Sequence, residues 1–103
     1  MGQWKYTLKN GKALRAAIGE GDDYGKVLDA LAACLKEINA KFPDDYEDYE
    51  LEEDLEDIEN QRDNLENYAD YDMTYEDVED EINYLLDRFY DLCDGLRIWV
   101  GGI

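Results

Sequence analysis

The stretch Asp44-Asp45-Tyr46-Glu47-Asp48-Tyr49-Glu50-Leu51-Glu52-Glu53-Asp54-Leu55-Glu56-Asp57-Ile58-Glu59 decides how this chain is read. It is either an unfolded acidic tail or a helix that wears its carboxylates outward. Periodicity separates the two. Leu51, Leu55, Ile58, Arg62, Leu65 and Ala69 recur at alternating spacings of four and three, with one charged exception. That spacing lays a narrow apolar stripe along one face of an α-helix. The acidic segment therefore reads as folded, and its acids, almost all off the stripe, as a solvent face.

Two further segments repeat the pattern. Upstream lie Tyr24, Leu28, Leu31, Leu35, Ile38 and Phe42, and downstream Val78, Ile82, Leu85, Phe89, Leu92 and Leu96. Three such stripes can bury only against one another, so the expected fold is mainly α: a three-helix bundle, rod-like, in a single domain over residues 1–103. Asp22 or Asp23 is placed to cap the first long helix, Phe42-Pro43 to interrupt it, and Asp44 or Asp45 to cap the second. Thr74 with Asp77 resembles a capping box for the third, and Gly95 suits the left-handed position past its end. Lys12-Ala13-Leu14-Arg15-Ala16-Ala17-Ile18 is rich in helix formers and predicts a short N-terminal helix ending near Gly19; a hairpin turn at Asn10-Gly11 is the alternative. Trp4 to Leu8 and Arg97 to Val100 are β-prone and are expected to pair as a small two-stranded antiparallel ribbon.

Composition narrows the function. The 103 residues hold 28 Asp+Glu against 10 Lys+Arg and no His, a formal net charge of −18. So anionic a chain repels nucleic acid and anionic membranes as direct partners. Without His, the usual triads and imidazole metal sites are gone. Carboxylate pairs for glycoside hydrolysis can be picked almost anywhere, which makes them uninformative, and no Gly-rich phosphate loop occurs. No enzyme and no cofactor is expected. Asp70, Asp72, Thr74, Glu76 and Glu81 fit an EF-hand register, but Tyr75 stands where that loop needs Gly, so no metal site is assigned. No apolar run approaches a membrane span or follows the N-terminal charge, which predicts a soluble, cytoplasmic protein. Cys34 and Cys93 read as buried free thiols, although two helices could set them side by side as a disulfide.

Charge is segregated along the chain. Residues 1–43 carry a net +2 and residues 44–103 a net −20. Between Asp44 and Glu66 lie 13 carboxylates, which a helix spreads at one per about 2.5 Å of its axis. Duplex DNA carries one per about 1.7 Å. A rigid array of this density offers a cationic groove what its nucleic-acid ligand offers, and self-repulsion among so many acids costs folding stability. The residues expected to meet a partner are Asp45, Glu47, Asp48, Glu50, Glu52, Glu53, Asp54, Glu56 and Asp57 on the second long helix. Asp70, Asp72, Glu76, Asp77 and Asp80 are expected to do so around the start of the third. Among the tyrosines, Tyr46, Tyr49, Tyr71 and Tyr75 are candidate contacts, whereas Tyr24, Tyr84 and Tyr90 are assigned mainly to packing. Arg62, on a stripe, needs either acids of its own helix (Glu59, Asp63, Glu66) or of the third, or a head that reaches water.

In texture, Asp44 to Glu53 resembles the acidic, tyrosine-punctuated segments of small phage-encoded inhibitors, notably anti-CRISPR proteins against Cas9 and other DNA mimics that block restriction enzymes. The likeness covers roughly residues 44–94 and is compositional, so it carries over no functional residue. It implies an inhibitor that occupies the duplex-DNA site of a host defence nuclease. In a Cas9-type target that would be the arginine-bearing surface that reads the short flanking motif. The partner expected is thus a basic nucleic-acid-binding protein such as a CRISPR or restriction nuclease; the other reading is an acidic chaperone or adaptor that holds a basic protein.

Overall fold

Each helix begins where a side chain can replace its missing backbone partners. The computed structural model describes residues 4–21 and 23–101, and α1 (Gly11–Glu20), α2 (Tyr24–Lys41), α3 (Asp48–Asn67) and α4 (Tyr75–Leu96) follow in order, with a 3-10 turn at Tyr68–Tyr71 joining the last two. Asp23 caps α2 by accepting from the Lys26 amide; Asp22 lies outside the described residues. α3 is capped by Glu47, not by Asp44 or Asp45: Glu47 and Glu50 close a reciprocal capping box, and Tyr46 and Leu51 take the flanking positions of a hydrophobic staple. Thr74 and Asp77 form the expected box on α4. Gly95, by contrast, stays inside that helix, and Arg97 takes the left-handed conformation (φ 59°), its amide bonding the Asp94 carbonyl. The third stripe runs to Leu96 without a break, so the left-handed position falls just past the last apolar contact.

The structure is mainly helical, as expected, but with four helices: the N-terminal one is a full member of the bundle. Leu14 and Ala17 of α1 are buried, and Arg15 lies over the Tyr90 ring of α4 at 5.6 Å. The stripes of α2 and α4 supply much of the core, with Leu28, Leu31 and Ile38 of α2 and Val78, Ile82 and Phe89 of α4 nearly inaccessible, and Cys34, off the stripe, is buried beside them. α3 contributes less, burying only Ile58 and Gln61 while Leu51, Leu55 and Leu65 are half-covered. The backbone spans 46 × 31 × 16 Å, a slab and not a rod. Arg62 reaches Asp29 of α2 as well as Glu59, so it clamps α3 to α2 by a partner outside both helices first considered for it.

β1 (Tyr6–Thr7) and β2 (Ile98–Trp99) do pair, but in parallel, with Tyr6 opposite Ile98 and Thr7 opposite Trp99. A hairpin turn would have forced antiparallel pairing, and these strands have none: the four helices between them form the long crossover that a parallel pair requires. Gly11 lets this ribbon sit on α1, because a Cβ there would fall 1.6 Å from the Val100 carbonyl oxygen. α1 lacks a cap of its own. Glu37 of α2 accepts instead from Lys9 N (2.7 Å), Asn10 N (3.0 Å), Asn10 Nδ2 (2.9 Å) and the Tyr6 hydroxyl (2.5 Å). Burial would raise Glu37, but these four bonds hold it below its ordinary value, while the bond to Glu37 pushes Tyr6 up to about 12. Cys34 and Cys93 are free and buried, each thiol pushed up to about 12, chiefly by burial.

Candidate interaction surface on the α3–α4 hairpin

Tyr49, Glu52, Glu56, Glu59, Asp63 and Glu66 recur along α3 at spacings of three and four, and all are exposed. On α4, Asp77, Asp80, Tyr84, Asp87, Asp91 and Asp94 do the same. Each helix thus has, off its apolar stripe, a row of five carboxylates and one tyrosine at the same period. The signal was present in the sequence: these rows are the complement of the apolar stripes, visible once the polar positions are counted with the same spacing. The helices run antiparallel, since Arg88 late in α4 reaches Asp54 (3.4 Å) and Asp57 (3.7 Å) early in α3.

Acids at the two helix starts support the helices. Asp48 and Glu50, and Glu76 and Asp77, sit in first turns, where negative charge complements the helix dipole. Those at the far ends do the reverse, and neither helix has a basic residue in its last turn. Among the described residues, the ion pairs of the hairpin involve only Arg62 and Arg88. Glu52, Glu56, Glu66, Asp80, Asp87 and Asp91 enter none.

Most of the residues that the sequence offers as contacts are exposed. Asp45, Glu47, Asp48, Glu52, Glu53, Glu56, Asp70, Asp72, Glu76, Asp77 and Asp80 are exposed, and Glu50, Asp54 and Asp57 half-buried. Asp54 and Asp57 are already engaged by Arg88, so they serve the fold. Two tyrosines exchange roles. Tyr46 is 2% exposed and belongs to the core, with its hydroxyl donating to Asp54 at 2.6 Å and its carbonyl accepting from Asn39; burial, then this bond, raises its pKa. Tyr84, assigned to packing, is 59% exposed. It adjoins the α4 stripe in sequence but falls on the opposite row.

Tyr49, Tyr71 and Tyr75 are exposed as expected. Tyr71 is tethered by a 2.6 Å bond to Asp63, which raises its pKa above the ordinary phenol value. The charges of Glu50 and Glu47 raise Tyr49. Both phenols therefore stay neutral near pH 7. Tyr75 packs edge-on against Tyr24 and Tyr68 at 6.2 and 5.8 Å, pinning the start of α4.

Beside these rows opens a cleft of about 280 Å³ among α2, α3 and α4. Its floor is apolar (Leu31, Leu35, Ile58, Leu85, Phe89, Leu92) and includes the buried Tyr46, and its rim carries Tyr49, Glu50, Glu53, Asp54 and Arg88. Sequence reading did not anticipate it, because a gap between helices leaves no mark on the periodicity of either.

Among the described residues no group of three or more His, Cys, Asp or Glu is arranged to hold a metal ion. The EF-hand register is broken up: Asp70 lies in the 3-10 turn, Thr74 caps α4, and Glu76 and Glu81 are helical. No helix among the described residues is long and apolar enough to cross a membrane. In comparisons with known proteins, no family model, no curated protein and no solved structure matches this chain.

Proposed function

We propose that this protein is a decoy for duplex DNA: an inhibitor, of the anti-CRISPR kind, that occupies the DNA-binding groove of a host defence nuclease, in the first instance a Cas9-type enzyme. The observation that supports it is the pair of outward carboxylate rows on adjoining, capped helices, few of whose members have a cationic partner. Each row covers about 26 Å of helix axis, enough to lie along several phosphates of a strand. A folded scaffold holds these charges in place before binding, so little ordering entropy opposes association, and the long-range field speeds encounter with a basic groove. The tyrosines within the rows supply rigid contact area.

A second reading, an acidic chaperone or adaptor for a basic protein, is favoured by the apolar-floored cleft, since a duplex surrogate needs no cavity. Competition distinguishes them. A labelled duplex bound to a Cas9-type or restriction nuclease at physiological ionic strength is titrated with the protein and followed by anisotropy and by size. A mimic releases free duplex and forms a binary protein–nuclease complex. A ternary complex of protein, nuclease and duplex would reject mimicry in favour of the adaptor.

A further inference from the structure

The floor and rim of the cleft differ in chemistry, and together they select an occupant. At about 280 Å³ the cavity sits just below the roughly 300 Å³ at which small-molecule pockets begin, a size suited to one inserted side chain. Leu35, Ile58, Leu85 and Leu92 offer that side chain an apolar bed. At the mouth, Glu50 and Glu53 lie one helical turn apart and project from neighbouring positions on the surface of α3. Glu50 gives one oxygen to the Glu47 amide at 3.3 Å, and Glu53 enters no ion pair among the described residues. Arg88, on the same rim, is already balanced by Asp54 and Asp57. The opening is therefore apolar below and anionic above, with the exposed Tyr49 ring adjoining Glu50.

We propose that this cleft is a socket for one arginine side chain of the cationic protein partner, its stem on the leucine floor and its guanidinium on Glu50 and Glu53. The inference rests on the reading that the acidic face meets a basic protein, and it names the contact. A leucine or phenylalanine would fill the floor but strip water from two carboxylates without replacing it. A lysine brings the charge as a point on a flexible stem. Arginine alone has a planar fork of donors able to serve two carboxylates while its methylenes stay buried, and its guanidinium stacks on aromatic faces. The socket also supplies what the charged rows lack, a fixed position along the partner's surface.

The full chain, labelled at Leu and Ile methyl groups, is titrated with N-acetyl-arginine-amide and followed by NMR. The expected result is a saturable shift of the Leu35, Ile58, Leu85 and Leu92 methyls. N-acetyl-lysine-amide should bind several-fold more weakly and N-acetyl-leucine-amide should leave the methyls unmoved. Glu50→Gln with Glu53→Gln keeps the capping box, in which Gln replaces Glu, and should weaken the arginine probe about tenfold. Equal response to leucine-amide, equal affinity for lysine-amide, unchanged affinity of the Gln variant, or absence of cleft shifts would each overturn the socket. If the cleft takes arginine while no nuclease tested loses its duplex, mimicry fails and the socket stands. If duplex is displaced while the methyls do not move, the reverse holds.

Discussion

Two regions of this molecule use carboxylates in opposite ways. In the N-terminal half, Glu37 is half-buried and accepts four hydrogen bonds, joining β1, the start of α1 and α2 at a single point. In the C-terminal half, α3 and α4 together carry 18 carboxylates, and only Asp54, Asp57 and Glu59 of these meet an arginine among the described residues. An acid that serves folding is surrounded by donors. Most of the others are exposed, none of them enters an ion pair among the described residues, and their mutual repulsion opposes the fold that displays them. In the function proposed above, charge kept at that cost on a capped scaffold is what the partner meets.

The largest effect is expected where the N-terminal half is tightest. Gly11→Ala would drive a Cβ into the Val100 carbonyl and should cost about 3 kcal/mol, lowering the melting temperature by more than 10 °C at roughly 4–8 °C per kcal/mol. Gly95 of α4 is the contrasting case: a Cβ there meets nothing within 4 Å. Gly95→Ala should stabilise, by about 0.5–1 kcal/mol, through helix propensity alone. Thermal denaturation of both variants gives opposite signs if the packing is as described.

Glu37→Gln sharpens the comparison through pH. Its loss of charge-assisted hydrogen bonds should cost about 2 kcal/mol at neutral pH. Because the folded pKa of Glu37 is lowered, its contribution is complete above the ordinary carboxylate value and drains away as pH falls through the depressed one. The gap between wild type and Glu37→Gln in urea unfolding should therefore be constant from pH 7 to 6 and close on further acidification. A gap independent of pH would assign the loss to shape and not to charge.

The acidic rows should behave otherwise. Glu52→Gln and Glu56→Gln, separately, are expected to change stability by less than about 0.5 kcal/mol, and in the stabilising direction. Raising monovalent salt from about 0.01 to 1 M should raise the melting temperature of the wild type as screening relieves repulsion. A flat or falling curve would mean that the rows are internally compensated.

The apolar stripes and the Thr74–Asp77 box were legible because periodicity and capping are local. What escaped was set by tertiary placement. Tyr46 is flanked by Asp45 and Glu47 and lies on no helical stripe, so it reads as a surface contact; only its position before the Glu47–Glu50 box, opposite Leu51 in a staple, hints at burial. The ribbon's direction depends on how α1 and α4 leave the bundle, not on residues 4–8 or 97–100. Arg62 found Asp29 because α2 packs beside it, and no spacing within α3 could have named that partner. The cleft among α2, α3 and α4 likewise depends on how the helices pack, and no spacing within one helix marks it.

The decisive measurement is equilibrium competition against labelled duplex for a Cas9-type or restriction nuclease at physiological ionic strength, wild type beside Glu52→Lys/Glu56→Lys/Asp80→Lys/Asp87→Lys. All four positions are exposed and free of ion pairs among the described residues, so circular dichroism should find the helices intact. The account predicts that the wild type displaces the duplex, that added salt weakens it as it weakens DNA itself, and that the variant loses displacement by a hundredfold or more, about 2.7 kcal/mol. Displacement unchanged in the variant, or no displacement of duplex from any nuclease by the wild type, would contradict it.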